Sequence, residues 1–140
     1  MALGIAVLAT NALAAAWGAT CWLRKAPRMS IGFWPLLRLA QVAVVIQVVL
    51  GLALLARGDR PADDLHVLYG VAPLVVTLVS EGMRVGVAQR ELEDIEDPDA
   101  LQRPQQMAIA RRVALGEVGI MTIGALLILT LALRAYSTGA

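Results

Sequence analysis

Residues 35–56 read PLLRLAQVAVVIQVVLGLALLA and contain a single charged side chain, Arg38. A run of roughly 18 or more apolar residues is long enough to cross the hydrocarbon core of a bilayer as a helix. Three segments of similar character accompany it, at about residues 2–23, 65–84 and 113–134. The sequence therefore predicts an all-α, polytopic membrane protein, built as a bundle of four transmembrane helices.

The composition of the whole chain supports this class. Of its 140 residues, 59% are hydrophobic and 16% are charged, whereas soluble domains have about 45–50% apolar and about 25% charged residues. The four spans and their loops occupy the chain from 1 to 140, so we expect one domain. A net charge of +1 gives no basic surface for nucleic acid, and the expected partners are the lipid bilayer and other membrane protein subunits.

The first apolar segment is expected to be a true first helix. It has no basic residues before its apolar core, which a secretory signal peptide would have. The lone cysteine, Cys21, excludes an internal disulfide and a CxxC motif. We expect Cys21 to pack as a small apolar side chain.

Basic residues predict the orientation of the bundle. Nine of them lie in or beside the first and third loops: Arg24, Lys25, Arg28, Arg38, Arg84, Arg90, Arg103, Arg111 and Arg112. Three lie on the opposite side: Arg57, Arg60 and Arg134. We expect a multi-pass protein of the cell (inner) membrane. Because short cytoplasmic loops carry the excess of basic residues, loops 1 and 3 should be cytoplasmic and both termini should lie outside.

The third loop, about residues 85–112, is much longer than a tight turn. Apolar stripes at helical spacing predict that helices 3 and 4 continue beyond the membrane as a cytoplasmic helical hairpin. These stripes are Val85, Ala88, Leu92 and Ile95 on one side, and Met107, Ala110 and Ala114 on the other. Prolines set the expected boundaries: Asp97-Pro98 ends helix 3, Pro104 begins helix 4, and Pro35 lies in the first turn of helix 2.

The tip of this hairpin is acidic. Its candidate docking residues for a basic partner are Glu91, Glu93, Asp94 and Glu96. The alternative is a solvated connection that only joins two spans. The extra length favours docking without requiring it.

Four ionisable residues lie within the predicted spans, at a similar depth on the cytoplasmic side: Arg38, Glu81, Arg84 and Glu117. Charges in the membrane are costly and usually paired, and two acids with two bases predict one buried interhelical ionic cluster. The alternative is a proton carrier, which would leave one acid without a basic partner. Nearby, Gly82 and Gly86 form a GxxxG motif that predicts close packing within the bundle, and the alternative is a contact between subunits.

The single histidine, His66, stands at the start of helix 3, one turn before Tyr69. A neutral imidazole can ligate haem iron or bond a quinone carbonyl. We therefore treat His66 and Tyr69 as candidate contacts for a haem or quinone shared with another subunit, and we expect no complete metal site within one chain. The alternative is that His66 is an ordinary polar residue where helix meets water.

Residues 47–76, QVVLGLALLARGDRPADDLHVLYGVAPLVV, resemble a helix pair of haem A synthase-type membrane proteins. In that family a glutamine–glycine helix ends in a short outer loop, and a histidine begins the next helix. The resemblance implies a four-helix fold and makes His66 an axial haem ligand. The chain departs from the family in having no second histidine.

The sequence contains no Ser/His/Asp set, no metal cluster and no glycine-rich phosphate loop, so we do not expect an enzyme. We expect a non-catalytic accessory subunit of a larger membrane complex, and a respiratory or electron-transfer complex as the host. Two alternatives remain open. One is a haem- or quinone-binding, cytochrome-like redox protein that uses His66; the other is a small proton-coupled transporter acting as an oligomer.

Overall fold

The computed structural model describes residues 2–58, 64–93, 95–97 and 100–138, and within these residues it contains helices and no strand. The α-helices are α1 (Ala2–Leu23), α2 (Ser30–Ala56), α3 (Asp64–Leu92) and α4 (Arg103–Thr138), with one 3₁₀ turn at Pro27–Met29. All four α-helices are long and apolar enough to cross a membrane. The predicted class, an all-helical protein with four apolar helices, is confirmed.

The four helices form a ring in chain order. Helix α1 packs against α2 and α4, and α3 packs closely against α4 but more loosely against α2. One end of the ring, called the His66 end, has a cavity lined by Leu3, Leu54, His66 and Ala132, one residue from each helix. The opposite end, called the hairpin end, holds the α1–α2 connection and the α3–α4 turn. Neighbouring helices are therefore antiparallel.

Small residues bring the helices together in the core. At Gly18 of α1, an added Cβ would collide with Thr122 Oγ1 of α4 and lie 2.7 Å from Phe33 Cε2 of α2. At Gly124 of α4, an added Cβ would collide with Ser80 Oγ of α3. Lipid gives no hydrophobic drive for helices to associate, so close backbone approach and van der Waals packing hold such bundles together.

The α1–α2 connection is a structured turn. Helix α1 ends with the amide of Ala26 donating to Cys21 O (3.0 Å) and the amide of Lys25 donating to Trp22 O (3.1 Å). This pattern requires a left-handed residue after the helix, and Lys25 supplies it with a φ of 50°. The indole Nε1 of Trp17 then donates to Met29 O at 2.9 Å, which fixes the connection against α1.

Helix α2 begins earlier than predicted. It starts at Ser30, so Pro35 lies inside the helix and not in its first turn. The cause is the preceding 3₁₀ turn, whose Pro27 O accepts a hydrogen bond from Ser30 Oγ at 2.6 Å and leads the chain directly into α2. Proline has no amide hydrogen, so Ile31 O cannot receive its usual helical bond from residue 35.

The two apolar stripes of the third loop do not pair at the hairpin end as predicted. Helix α3 ends at Leu92, so Ile95 is outside the helix, and Val85 and Met107 are exposed at 54% and 67%. The contact instead forms where Val87 meets Gly116. Acidic residues at the C-terminus of a helix oppose its dipole, which accounts for α3 stopping within the acidic run. Pro98 lies outside the described residues, and Pro104 is the second residue of α4.

The glycine motif of α3 does not pack within the bundle, which corrects the prediction. A Cβ added at Gly82 would meet nothing within 4 Å, and one at Gly86 would meet only the Arg90 side chain of the same helix. The glycines that do contact another helix are Gly18, Gly116, Gly119 and Gly124, with Gly32 against Trp17. The GxxxG spacing by itself does not show which face of a helix is covered.

Candidate functional site

The structure brings the four ionisable residues of the predicted spans together at the hairpin end. Glu81 of α3 lies between two arginines: its Oε1 is 2.5 Å from Arg38 Nη1 of α2, and its Oε2 is 2.9 Å from Arg84 Nε. Arg84 Nη1 also reaches Glu117 Oε1 of α4 at 3.4 Å. Three helices are thus joined by one chain of alternating charges.

Two further side chains, which were not among the predicted members, complete this cluster. Gln41, one turn after Arg38, donates from Nε2 to Glu81 Oε1 at 2.7 Å and accepts from Arg38 Nη1 at 2.5 Å. The guanidinium carbon of Arg84 lies 5.4 Å from the centre of the Trp34 ring, within the range of a cation–π contact. The helical spacing of Arg38 and Gln41 was the available signal, since residues three apart share a face.

The cluster is partly exposed, which corrects the prediction of a buried one. The side chain of Arg38 is 51% exposed, and those of Glu81, Arg84 and Glu117 are 25%, 26% and 22% exposed. A long arginine stem can lie along apolar surface while its charged head reaches towards water. Both acids have an arginine partner, so neither is the unpaired acid that a proton carrier would need.

The candidate docking acids of the hairpin have different surroundings. Glu91 Oε2 accepts from Arg112 Nε of α4 at 2.7 Å, so this acid closes the hairpin and is engaged within the chain. Glu93 and Glu96 are exposed, and Asp94 lies outside the described residues. Beside them, Arg111 Nη2 donates to Lys25 O at 3.0 Å, which ties α4 to the first connection.

The His66 end contains two cavities that share part of their walls. One has a volume of about 340 Å³ and lies between α2 and α3, with Gly51 and Leu55 facing His66 and Gly70. The other, about 610 Å³, lies between the four helix ends and includes Tyr136 of α4. Both volumes fall within or near the roughly 300–1,000 Å³ of small-molecule sites.

Two polar side chains belong to both cavities, Gln47 and His66. The Oε1 atom of Gln47 is buried and has no hydrogen-bond partner among the described residues. His66 is exposed at the start of α3. A buried amide oxygen without a partner costs about 1–3 kcal/mol, and it belongs to a side chain that lines both cavities.

The structure separates the two residues predicted to contact a cofactor. His66 lines both cavities, whereas Tyr69 lines neither of them, and Tyr136 contributes to the larger one. The reason is helical geometry: Val67, Gly70 and Val71 share the cavity face with His66, and this face excludes position 69. Gly51 and Gly70 could not be recognised as cavity residues from the sequence, because a glycine leaves a cavity only where the neighbouring helix does not pack against it.

A haem does not fit the described lining of these cavities. His66 is the one histidine of the chain, and no methionine or cysteine lines either cavity to supply a second axial ligand. The described lining also holds no lysine or arginine to pair with haem propionates. Elsewhere in the described residues, no three His, Cys, Asp or Glu side chains come together as a metal site.

Comparison with known proteins adds no family to this picture. No protein-family model matches the chain, and no curated protein or solved structure is significantly similar to it. The resemblance of residues 47–76 to haem A synthase-type helices therefore stays a prediction from the sequence. The properties of both ends of the bundle are therefore argued from the side chains of this chain alone.

Proposed function

We propose that this chain is a non-catalytic subunit of a larger membrane protein complex. The observation that carries the proposal is the outer face of α3, where a Cβ added at Gly82 would meet nothing within 4 Å and one at Gly86 would meet only the Arg90 side chain of the same helix. Glycines at this spacing allow a second transmembrane helix to approach closely. Within the chain that role is filled by other glycines, so the α3 pair is available to a partner helix.

The surface beside these glycines supports an apolar partner. Val79 and Met83 of α3, together with Ile123 and Leu127 of α4, line an apolar groove of about 210 Å³. The same helix exposes Val75 and Leu78 at 53% and 64%. A membrane helix with small residues on one side would fit against this strip, and lipid chains are the competing occupant.

The proposed host is a respiratory or electron-transfer complex. This choice rests on the resemblance of residues 47–76 and on the properties of the His66 end. The proposed orientation has both termini outside and the hairpin end in the cytoplasm, where Glu93 and Glu96 could contact a basic region of the partner. A proton-coupled transporter is disfavoured, because Glu81 and Glu117 are both bonded to arginine.

The test is gentle purification of the tagged chain from its native membranes, followed by mass spectrometry of the proteins that remain with it. We expect larger membrane proteins in stoichiometric amounts. The variant Gly82→Leu should lose them at least about tenfold, because a leucine side chain would occupy the space of the approaching helix. The matched control is Gly51→Leu, another helical glycine with open space around its Cβ position, which should keep its partners.

Two outcomes would contradict the proposal. One is recovery of the wild-type chain alone or only as a homo-oligomer. The other is full retention of the partners by Gly82→Leu, which would place the interface elsewhere and remove the observation that carries the proposal.

A further inference from the structure

We propose that the His66 end is a binding site for a lipid-soluble quinone or quinol. The ring would lie between Gln47 and His66, and the apolar tail would leave between α2 and α3. This inference goes beyond the proposed function, since it concerns the opposite end of the bundle from Gly82. It rests on the two cavities, on their polar groups and on the helix seam that gives access to them.

The polar groups of the site match both redox forms of such a ring. An amide has a donor and an acceptor, and a neutral imidazole has one of each. Gln47 and His66 can therefore bond a quinone carbonyl or a quinol hydroxyl without any change of charge. The Oε1 of Gln47 is buried and has no described partner, so in this proposal the Gln47 amide turns towards the ring, where Oε1 accepts from the quinol hydroxyl or the NH₂ group donates to the quinone carbonyl.

The charge of the lining selects a neutral ligand. Apart from His66, the described lining of both cavities contains no ionisable side chain except Tyr136. A phospholipid headgroup or a fatty-acid carboxylate would find no cationic partner among the described lining residues, which is unfavourable away from water. A quinone is neutral in both its oxidised and its fully reduced form.

The number of polar groups favours a ring with two oxygens over a lipid with one hydroxyl. Gln47, His66 and Tyr136 come from three different helices and line the same cavity of about 610 Å³. A quinone has oxygens on opposite edges of a flat ring, so it can bond partners on two sides. A sterol or another single-hydroxyl lipid has one oxygen and would bond only one of these three groups.

The seam between α2 and α3 supplies the route for the tail. The cavity of about 340 Å³ is lined by these two helices alone, and they pack against each other more loosely than the other neighbouring pairs. Its rim residues Leu52, Leu54 and Leu55 are 53%, 49% and 39% exposed. Gly51 and Gly70 widen it, since a Cβ added at either position would meet nothing within 4 Å.

The experiment measures binding of a tritium-labelled benzoquinone with a decyl tail to the full chain in lipid nanodiscs. Empty nanodiscs report simple partitioning, and the reduced form of the same probe is measured in parallel. We expect saturable binding of both forms above the empty discs. Gln47→Met should weaken it about tenfold, because one buried hydrogen bond is lost.

Steric variants localise the site. Gly51→Leu fills both cavities and should remove saturable binding, and Gly70→Leu fills the smaller one and should weaken binding. Gly82→Leu is the matched control, since it adds the same side chain to open space on α3 outside both cavities. It should bind the probe like the wild type, so failure of this inference and failure of the proposed function are distinguishable.

Three results would overturn the inference. They are binding no greater than in empty nanodiscs, equal affinity in Gly51→Leu and the wild type, and displacement of the probe by a single-hydroxyl sterol at equal concentration. Photolabelling of the wild-type chain with an azido-benzoquinone keeps the test decisive if a variant fails to fold. Labels within 47–55 and 66–71 support the site, and labels confined to other segments contradict it.

Discussion

At the hairpin end, Glu81 accepts hydrogen bonds from three side chains, whereas at the His66 end the buried Oε1 of Gln47 accepts none from the described residues. The two ends also differ in packing. At the hairpin end, large side chains lie close to backbone or glycine positions, namely those of Trp17, Trp22 and Val87. At the His66 end there are two cavities.

This difference underlies our proposal that the polar groups of the hairpin end are structural and that those of the His66 end bind a ligand. The charges at the hairpin end, which sequence reasoning marks as a functional site by default, are satisfied by one another and account for the joining of three helices. The uncharged amide of Gln47 attracts less notice in the sequence, yet it is the polar group left without a described partner beside a cavity. The proposed ligand site therefore lies at the unpaired amide and not at the paired charges.

The largest expected effect comes from breaking the hairpin-end cluster. Glu81→Ala removes the carboxylate between Arg38 and Arg84 and leaves two guanidinium groups facing each other at the level of the apolar helices. We expect the free energy of unfolding to fall by about 2–3 kcal/mol. Unfolding in mixed micelles of increasing dodecyl sulfate fraction measures it.

The control is Glu93→Ala, an exposed acid of the same hairpin end. It should change the stability by less than about 0.5 kcal/mol. An equal loss in both variants would mean that net charge, and not the pairing of Glu81, sets the stability.

The next largest expected effect is on stability and comes from replacing a glycine in the core, compared with the same replacement at the His66 end. Gly18→Leu places a side chain where a Cβ already collides with Thr122 and approaches Phe33, so we expect a loss of about 2 kcal/mol or more. Gly51→Leu adds the same atoms to the cavity at the His66 end and should leave stability unchanged or slightly higher. Thermal unfolding followed by circular dichroism compares the two variants. Similar losses would show that the His66 end is packed as tightly as the core.

The smallest effect concerns the two helices, α1 and α2, that are followed by a residue with a left-handed backbone conformation. Helix α2 is followed by Gly58 with a φ of 93°, whereas α1 is followed by Lys25 with a φ of 50°. A non-glycine residue pays a steric cost in this region, so Lys25→Gly should raise stability by about 0.5 kcal/mol. Arg24→Gly, one residue earlier and without a positive φ, should lower it. The same unfolding assay detects both changes.

Much of this fold follows from hydropathy. The four apolar runs are interrupted by charged, proline-containing segments, and the helices cover all of the predicted spans because a helix in an apolar setting satisfies its own backbone. The grouping of Arg38, Glu81, Arg84 and Glu117 also follows, since their similar depth leaves mutual pairing as the low-energy arrangement.

The faces of the helices do not follow from hydropathy. In an apolar bundle the outside and the inside have the same kind of side chain, so no polar stripe reveals the rotation of a helix. This is why Gly18 and Gly82 could not be told apart, although the first lies in the core and the second lies on the surface. It is also why Tyr69 was grouped with His66 in place of Gln47.

The end of α3 was mispredicted for a different reason. Proline at position 98 was taken as the boundary, but the helix ends at Leu92. The acidic run that begins at Glu91 opposes the helix dipole before the proline is reached. The charges of the acidic run, and not the steric effect of Pro98, therefore determine where α3 ends.

The most direct test of the contrast between the two ends is the stability and ligand affinity of Gln47→Met, measured on the same preparation. Methionine has a similar shape and no polar atom that needs a hydrogen bond. We predict that the free energy of unfolding rises by about 1 kcal/mol while binding of the decyl-benzoquinone weakens about tenfold. A loss of stability with unchanged binding would contradict the account, since Gln47 would then be a structural residue like Gln41.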